Sequence, residues 1–147
     1  MSEHKATIEW RKGSDEAENG GYSRDHTWSF HSLEVLASAA PEYMGSAERV
    51  NPEEAFVAAL SSCHMLTFLA IAAKRKHVVE SYVDKAVGYL ERNESGQMAI
   101  TRVVLRPEVS FKSGTALTDA ELDTLHQSAH KNCFIANSVT TDVKIEI

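Results

Sequence analysis

One stretch constrains this chain more than any other: residues 51–77, "NPEEAFVAALSSCHMLTFLAIAAKRKH". It reads as a single long helix. Asn51 suits the N-cap, Pro52 the first turn, and Glu54, three residues after the cap, completes a capping box. The basic cluster at 74–77 complements the negative end of the helix. Roughly 24 residues at 1.5 Å each would make a rod of about 36 Å. Apolar residues occupy every side of it, so it needs cover all round, more than one small sheet supplies. A second copy of the chain would supply the rest, and an intimate homodimer is expected. The midpoint breaks the pattern with Ser61-Ser62-Cys63-His64. These polar groups, with Thr67, argue against a bilayer span, although about 20 apolar residues before a basic flank is the usual signature of one.

The remaining pattern is that of a small α+β domain. "HKATIEWRK" alternates, with Ala6, Ile8 and Trp10 on one side, as a strand does. Residues 13–25 are rich in Gly and acids and read as a turn or mobile hairpin loop. "HTWSF" and "LEVLA" are strands joined by a tight turn at His31-Ser32, and 38–50 is a loop. "ESYVDKAVGYLER" and "MAITRVVLRPEVSF" read as two long strands around the turn Asn93-Glu94-Ser95-Gly96. Thr118 caps a second helix, and the last residues alternate as a strand. This order predicts mainly antiparallel sheet packed on the long central helix, in one domain of 147 residues. A net charge of −6 lacks the basic footprint of nucleic-acid binding. The N-terminus is polar, without the look of a signal peptide, so a cytoplasmic protein with no membrane partner is expected.

The two cysteines carry the chemical question. A mid-helix cysteine among Ala, Leu and Phe is commonly a small buried hydrophobe. Against that stands the polar patch around Cys63, which wastes burial unless something uses it. Cys133 lies in "KNCFIANS", just after a helix. If Asn132 caps a new short helix, Cys133 falls in its first turn, where backbone N–H groups favour a thiolate. Two cysteines in such a chain are more in keeping with reactivity, ligation or burial than with a secreted disulfide framework. A zinc site is the competing class. His126, His130 and Cys133 are spaced 4 and 3 apart, and Cys63 or His64 would complete a tetrahedron. A helix break at Lys131-Asn132 would spoil that register and leave His126 and His130 as plain surface residues. His64 points about 100° away from Cys63 on a helix, which makes it a poor general base for that thiol.

"NPEEAFVAALSSCHML" resembles the signature of the OsmC/Ohr family of hydroperoxide reductases. In that family the helix opens Asn-Pro-Glu-Glu and carries the peroxidatic cysteine ten residues after the first Glu. Here 63 − 53 = 10, which matches Cys63 and Glu53. Cys133 matches the late second cysteine, with Phe134 where the family commonly has proline. The resemblance implies an OsmC-like fold in an intertwined homodimer. It also implies a metal-free thiol peroxidase that needs no cofactor beyond an external thiol reductant, a lipoyl-type dithiol being one candidate. Cys63 would be oxidised by an organic hydroperoxide to a sulfenic acid and Cys133 would close a disulfide with it. The family also uses an arginine paired to a glutamate. Arg24, in "GGYSRDHTW", resembles the Gly-Gly-Arg-Asp loop of the Ohr branch and is favoured over Arg49, which is placed more like the arginine of the OsmC branch. Glu53, the paired acid, lies about 15 Å along the helix and roughly 80° around it from Cys63. It would therefore act from a partner subunit or through a bridging arginine. Met65, Phe56, Leu60, Tyr22 and Phe134 are the expected walls of an apolar pocket. A non-enzymatic redox sensor or small-ligand binder on the same fold is the alternative.

Overall fold

The long helix forms as its ends dictate. In a computed structural model describing residues 1–13, 21–114 and 117–147, the Asn51 side chain accepts from the Glu54 N–H at 2.8 Å. The Glu54 carboxylate takes the Asn51 N–H at 3.2 Å in return. This reciprocal cap stabilises a helix start by about 1 kcal/mol. The helix, α1, spans Pro52–Lys74 without a break and ends where Lys76 turns to a φ of 63°. Its most buried residues, Leu60, His64, Phe68 and Ala72, recur every fourth position and mark one stripe. Leu66 remains 61% exposed. By length and hydropathy the helix would suit a bilayer, yet Ser61 and His64 at its centre are engaged by other elements of the protein.

The chain divides into two compact units, Met1–Ala55 and Phe56–Ile147. In the first, β1 (Thr7–Glu9), β2 (His26–Phe30) and β3 (Leu33–Ala37) form an antiparallel sheet in that order. The turn between β2 and β3 places His31 at a φ of 53°. The first strand is shorter than the alternation from His4 to Lys12 suggests. Most of the Gly- and acid-rich loop, residues 14–20, lies outside the described residues. Within the loop read at 38–50, Pro41–Tyr43 winds into one 3-10 turn. Gly45 is required there, because a Cβ would stand 1.6 Å from the Ala39 carbonyl oxygen.

The second unit corrects the reading of two long strands. Each breaks into two: β4 (Val79–Asp84) and β5 (Val87–Arg92) on one side, β6 (Met98–Leu105) and β7 (Pro107–Phe111) on the other. β4 pairs with β7 and β5 with β6, all antiparallel, in separate sheets. Pro107, which has no N–H to give a ladder, starts a new strand where it would have interrupted an old one. Asp84 ties the break: its carboxylate accepts the Arg106 N–H at 2.7 Å. The last strand, β8 (Asp142–Ile145), joins β6 in parallel, an exception to the otherwise antiparallel pairing. The second helix, α2, spans Asp119–Asn132 under a full capping box of Thr118 and Glu121. Two apolar cores follow. Phe68 and Ala72 of α1 meet Leu125 and Ala129 of α2, with Tyr82 and Val109 alongside. Leu60 meets Val103 and Leu105, with Val143 and Ile145 alongside.

Candidate functional site

The polar centre of α1 is explained residue by residue in the second unit. Ser61 donates its hydroxyl to the free oxygen of Asp84. Thr67 bonds back to the Cys63 carbonyl at 2.8 Å, within the helix. Ser62 faces solvent. His64 is buried, and its Nε2 meets Nδ1 of His126 at 3.0 Å. Cys63, only partly buried, turns to the buried Cys133. The two thiols are close enough for Cys63 to act on the protonation of Cys133, and both are free.

Cys133 does not sit where the sequence suggested. Asn132 caps no new helix; it is the last residue of α2 and bonds back to the Ser128 carbonyl. Cys133 is the C-cap itself, with its N–H on His130. Its own Sγ then accepts from the Ala136 N–H at 3.5 Å, heading the turn that follows. The expected lowering of its pKa is also overturned. Burial pushes the Cys133 thiol up, and the neighbouring Cys63 thiol pushes the same way, against the weaker pull of the Ala136 and Ile135 N–H groups. Cys133 is thus held as a neutral thiol beside a more accessible one.

His126 is fully buried, not a surface residue, and His130 is partly so. The reason is the helical register: Leu122, Leu125, Ala129 and Cys133 form the inner face of α2, and His126 lies within it. Burial pulls the pKa of His64 down to about 4, helped by the neighbouring His126 and His130. Burial does the same to His126, also to about 4, against the opposing pull of Asp123 and Asp84. Both rings are neutral near pH 7. Among the described residues, no three His, Cys, Asp or Glu side chains gather as a metal ion would need. The set His126, His130 and Cys133 therefore does not assemble as the zinc reading required.

The first unit holds the cationic half of the candidate set. A cleft of about 530 Å³ is lined by Trp10, Tyr22, Arg24, Tyr43 and Glu53, among others. Arg24 lies over the Tyr22 ring, its guanidinium carbon 3.9 Å from the centroid, and donates to the Tyr22 carbonyl. Trp10 meets the same ring edge-on at 6.5 Å. Among the described residues, neither Arg24 nor Glu53 is in an ion pair with another side chain. Arg49, the other candidate, is committed: it pairs with Asp25 at 3.3 Å and reaches the His26 carbonyl. Asp25 in turn accepts the Ser38 hydroxyl at 2.8 Å. Tyr22 belongs to this cleft. Leu60, expected at a pocket wall, is core instead, with Phe56 packed against it. Phe134 projects into solvent at 81% exposure.

Sequence reasoning missed the partners of the polar patch: Asp84 for Ser61 and His126 for His64. The signal for His126 was present in its place on the inner face of α2.

The family profile described as OsmC-like protein matches residues 45–147. An OsmC-like protein of unknown function from Vibrio cholerae superposes with a TM-score of 0.95 at 51% identity, over 100% of this chain and 99% of that one. An organic hydroperoxide resistance protein from Elizabethkingia anophelis gives 0.73 at 18% identity, over 99% and 93%. The organic hydroperoxide resistance protein OhrB of Bacillus subtilis gives 0.65 at 19%, over 97% and 96%. The latter two speak to the fold alone. No curated protein matches significantly.

Proposed function

The chain belongs to the OsmC-like protein family, and from that premise we propose that it is a homodimeric thiol peroxidase that reduces organic hydroperoxides. One observation carries the reading: a partly exposed thiol, Cys63, neighbours a buried one, Cys133, closely enough to act on its protonation. The Cys63 thiolate attacks the distal peroxide oxygen. The O–O bond breaks, the alkoxide leaves and takes a proton to become the alcohol, and Cys63 becomes a sulfenic acid. The Cys133 thiol then displaces water from that sulfenic acid and closes the disulfide. An external dithiol returns two electrons and two protons. Holding Cys133 protonated suits this division of labour, because a neutral thiol competes poorly for the peroxide.

Arg24 is the cation proposed to polarise the peroxide, with Glu53 as its carboxylate partner. Arg49 is less suited, being already paired to Asp25. Because α1 is unbroken from Pro52 onwards, Glu53 stays about 15 Å of helix rise from its own Cys63. The proposed site is therefore shared, each Glu53 serving the Cys63 of the second subunit. The aromatic walls of the cleft suit an apolar tail.

The test is peroxide consumption by the reduced full-length protein with cumene hydroperoxide and a dithiol. The parent should turn over, and Cys63→Ser should lose activity at least about a thousandfold, as loss of a nucleophile does. Equal consumption by Cys63→Ser would remove the peroxidase reading and favour a non-enzymatic sensor. Mixing inactive Cys63→Ser subunits with Glu53→Ala subunits tests the shared site, since heterodimers restore one intact copy. Continued inactivity after proven exchange would rule it out.

A further inference from the structure

We infer that the buried His64–His126 couple is a positioning device: it locks α1 to α2 in the one arrangement that keeps the Cys63 and Cys133 thiols facing each other. The geometry is that of a directed bond. The ring planes differ by 6° while their centroids are 5.3 Å apart. With Nε2 and Nδ1 at 3.0 Å, the rings lie end to end in one plane and do not stack face on face. His126 is further clamped by Phe68, whose ring centroid lies 4.4 Å away. Phe68 follows His64 by four residues, so one stripe of α1 holds the imidazole on two sides. Among the described residues, this is the one nitrogen or oxygen hydrogen bond between side chains of the two helices.

The couple sits where its register matters. His64 is the neighbour of Cys63 on α1. His126 precedes Cys133 by seven residues, two turns, which brings both to nearly the same side of α2. A slide or rotation of either helix that breaks the His64–His126 bond therefore also parts the thiols.

Stability alone does not account for the pair. Two neutral imidazoles carry two N–H groups and two lone pairs, and the bond uses one of each. His64 Nδ1 and His126 Nε2 are buried with no partner among the described residues. Two aliphatic side chains of similar volume would avoid that cost in a core that is otherwise Phe68, Ala72, Leu125 and Ala129. What aliphatic side chains lack is direction: a hydrogen bond holds one register, whereas apolar surfaces tolerate several.

The inference needs the proximity of the thiols and not the peroxidase reading, so its test contains no peroxide. Reduced full-length protein is equilibrated with mixtures of reduced and oxidised dithiothreitol. Closing the Cys63–Cys133 bond passes two electrons and two protons to the oxidised reagent, which opens to its dithiol. The equilibrium constant is the effective concentration of one protein thiol at the other relative to that within dithiothreitol. His64→Leu with His126→Leu should lower it about tenfold with no fall in melting temperature. His64→Gln with His126→Asn, whose amides reproduce Nε2 and Nδ1, should return it to within about threefold of the parent. A leucine pair equal to the parent, or an amide pair as poor as the leucine pair, would overturn the inference. If the leucine pair does not fold, the single variants decide. His126→Asn keeps a polar atom in place and should stay near the parent, whereas His126→Gln misplaces it and should fall. Equal values for these two also overturn it.

Discussion

The thiol region and the cationic cleft are built on opposite principles. The thiol region joins distant parts of the chain: Cys133 neighbours Cys63 of α1, and His126 meets His64 across 62 residues. Around Arg24 the contacts are local, with Tyr22 two residues away supplying both a carbonyl and a ring face. The thiols are placed by the helix packing and move only if it does. The arginine is placed by its own loop and can be reoriented without disturbing a core. Two thiols that are to join must meet at bond-forming distance, whereas a cation acts over several ångströms. The structure spends its rigidity on the thiols accordingly.

This contrast breaks most severely through the scaffold beneath the cleft. Gly45→Ala would drive a Cβ to 1.6 Å from the Ala39 carbonyl oxygen. We expect a loss of about 3 kcal/mol or more in urea unfolding, as for overpacking against unyielding backbone. A loss below about 1 kcal/mol would show that the loop at 38–50 yields readily. Next comes Arg24→Ala, expected to lower kcat/KM with an organic hydroperoxide about a hundredfold while leaving the melting temperature unchanged. Arg49→Ala should do the reverse, because its Asp25 pair is structural. The opposite pattern would exchange the roles of the two arginines.

The thiol region is sensitive to acid instead. His64 and His126 titrate near 4 in the fold, below the ordinary 6.5. The unfolded chain binds protons first as pH falls, so stability is full above about pH 7.5 and declines between 6.5 and 4. At pH 5 each ring of the couple should have cost about 2 kcal/mol relative to pH 8. The His64→Leu/His126→Leu variant should lack that share of the decline. An identical pH profile for the variant would mean that the rings remain hydrated in the fold. The smallest effect is expected at the cap of α2: Thr118→Ala should cost about 1 kcal/mol and leave the activity intact.

Much of this was legible in the sequence because it is encoded locally. Asn51, Pro52 and Glu54 announce the start of α1, Thr118 and Glu121 that of α2, and Gly96, at a φ of 79°, the turn after β5. The closeness of Cys63 to Cys133 was reached only through a family resemblance, since nothing local encodes contact across 70 residues. The failures share a cause. β4 and β5 alternate as smoothly as one strand, and only Pro107, on the opposite strand, marks the break. Asn132 is a good cap residue in isolation, but the inner face of α2, ending at Cys133, carries the helix past it. His126 was assigned to the surface by residue type when its spacing put it in the core.

The parallel pairing of β8 with β6 has a consequence for the order in which the molecule is assembled. β5 and β6 are joined by a tight turn and can zip as soon as both exist. Arg102, by contrast, finds Asp142 across forty residues (142 − 102), and the entropy of closing so long a loop delays that contact. The whole of α2 lies inside the loop. By that ordering Cys133 would reach Cys63 late in folding, after β5 and β6 have paired. A chain emerging from the ribosome carries Cys63 for some seventy residues before its counterpart exists (133 − 63). Through that interval Cys63 has no second thiol to meet, and an oxidant that reached it then would strand it as an acid of sulfur rather than as a disulfide.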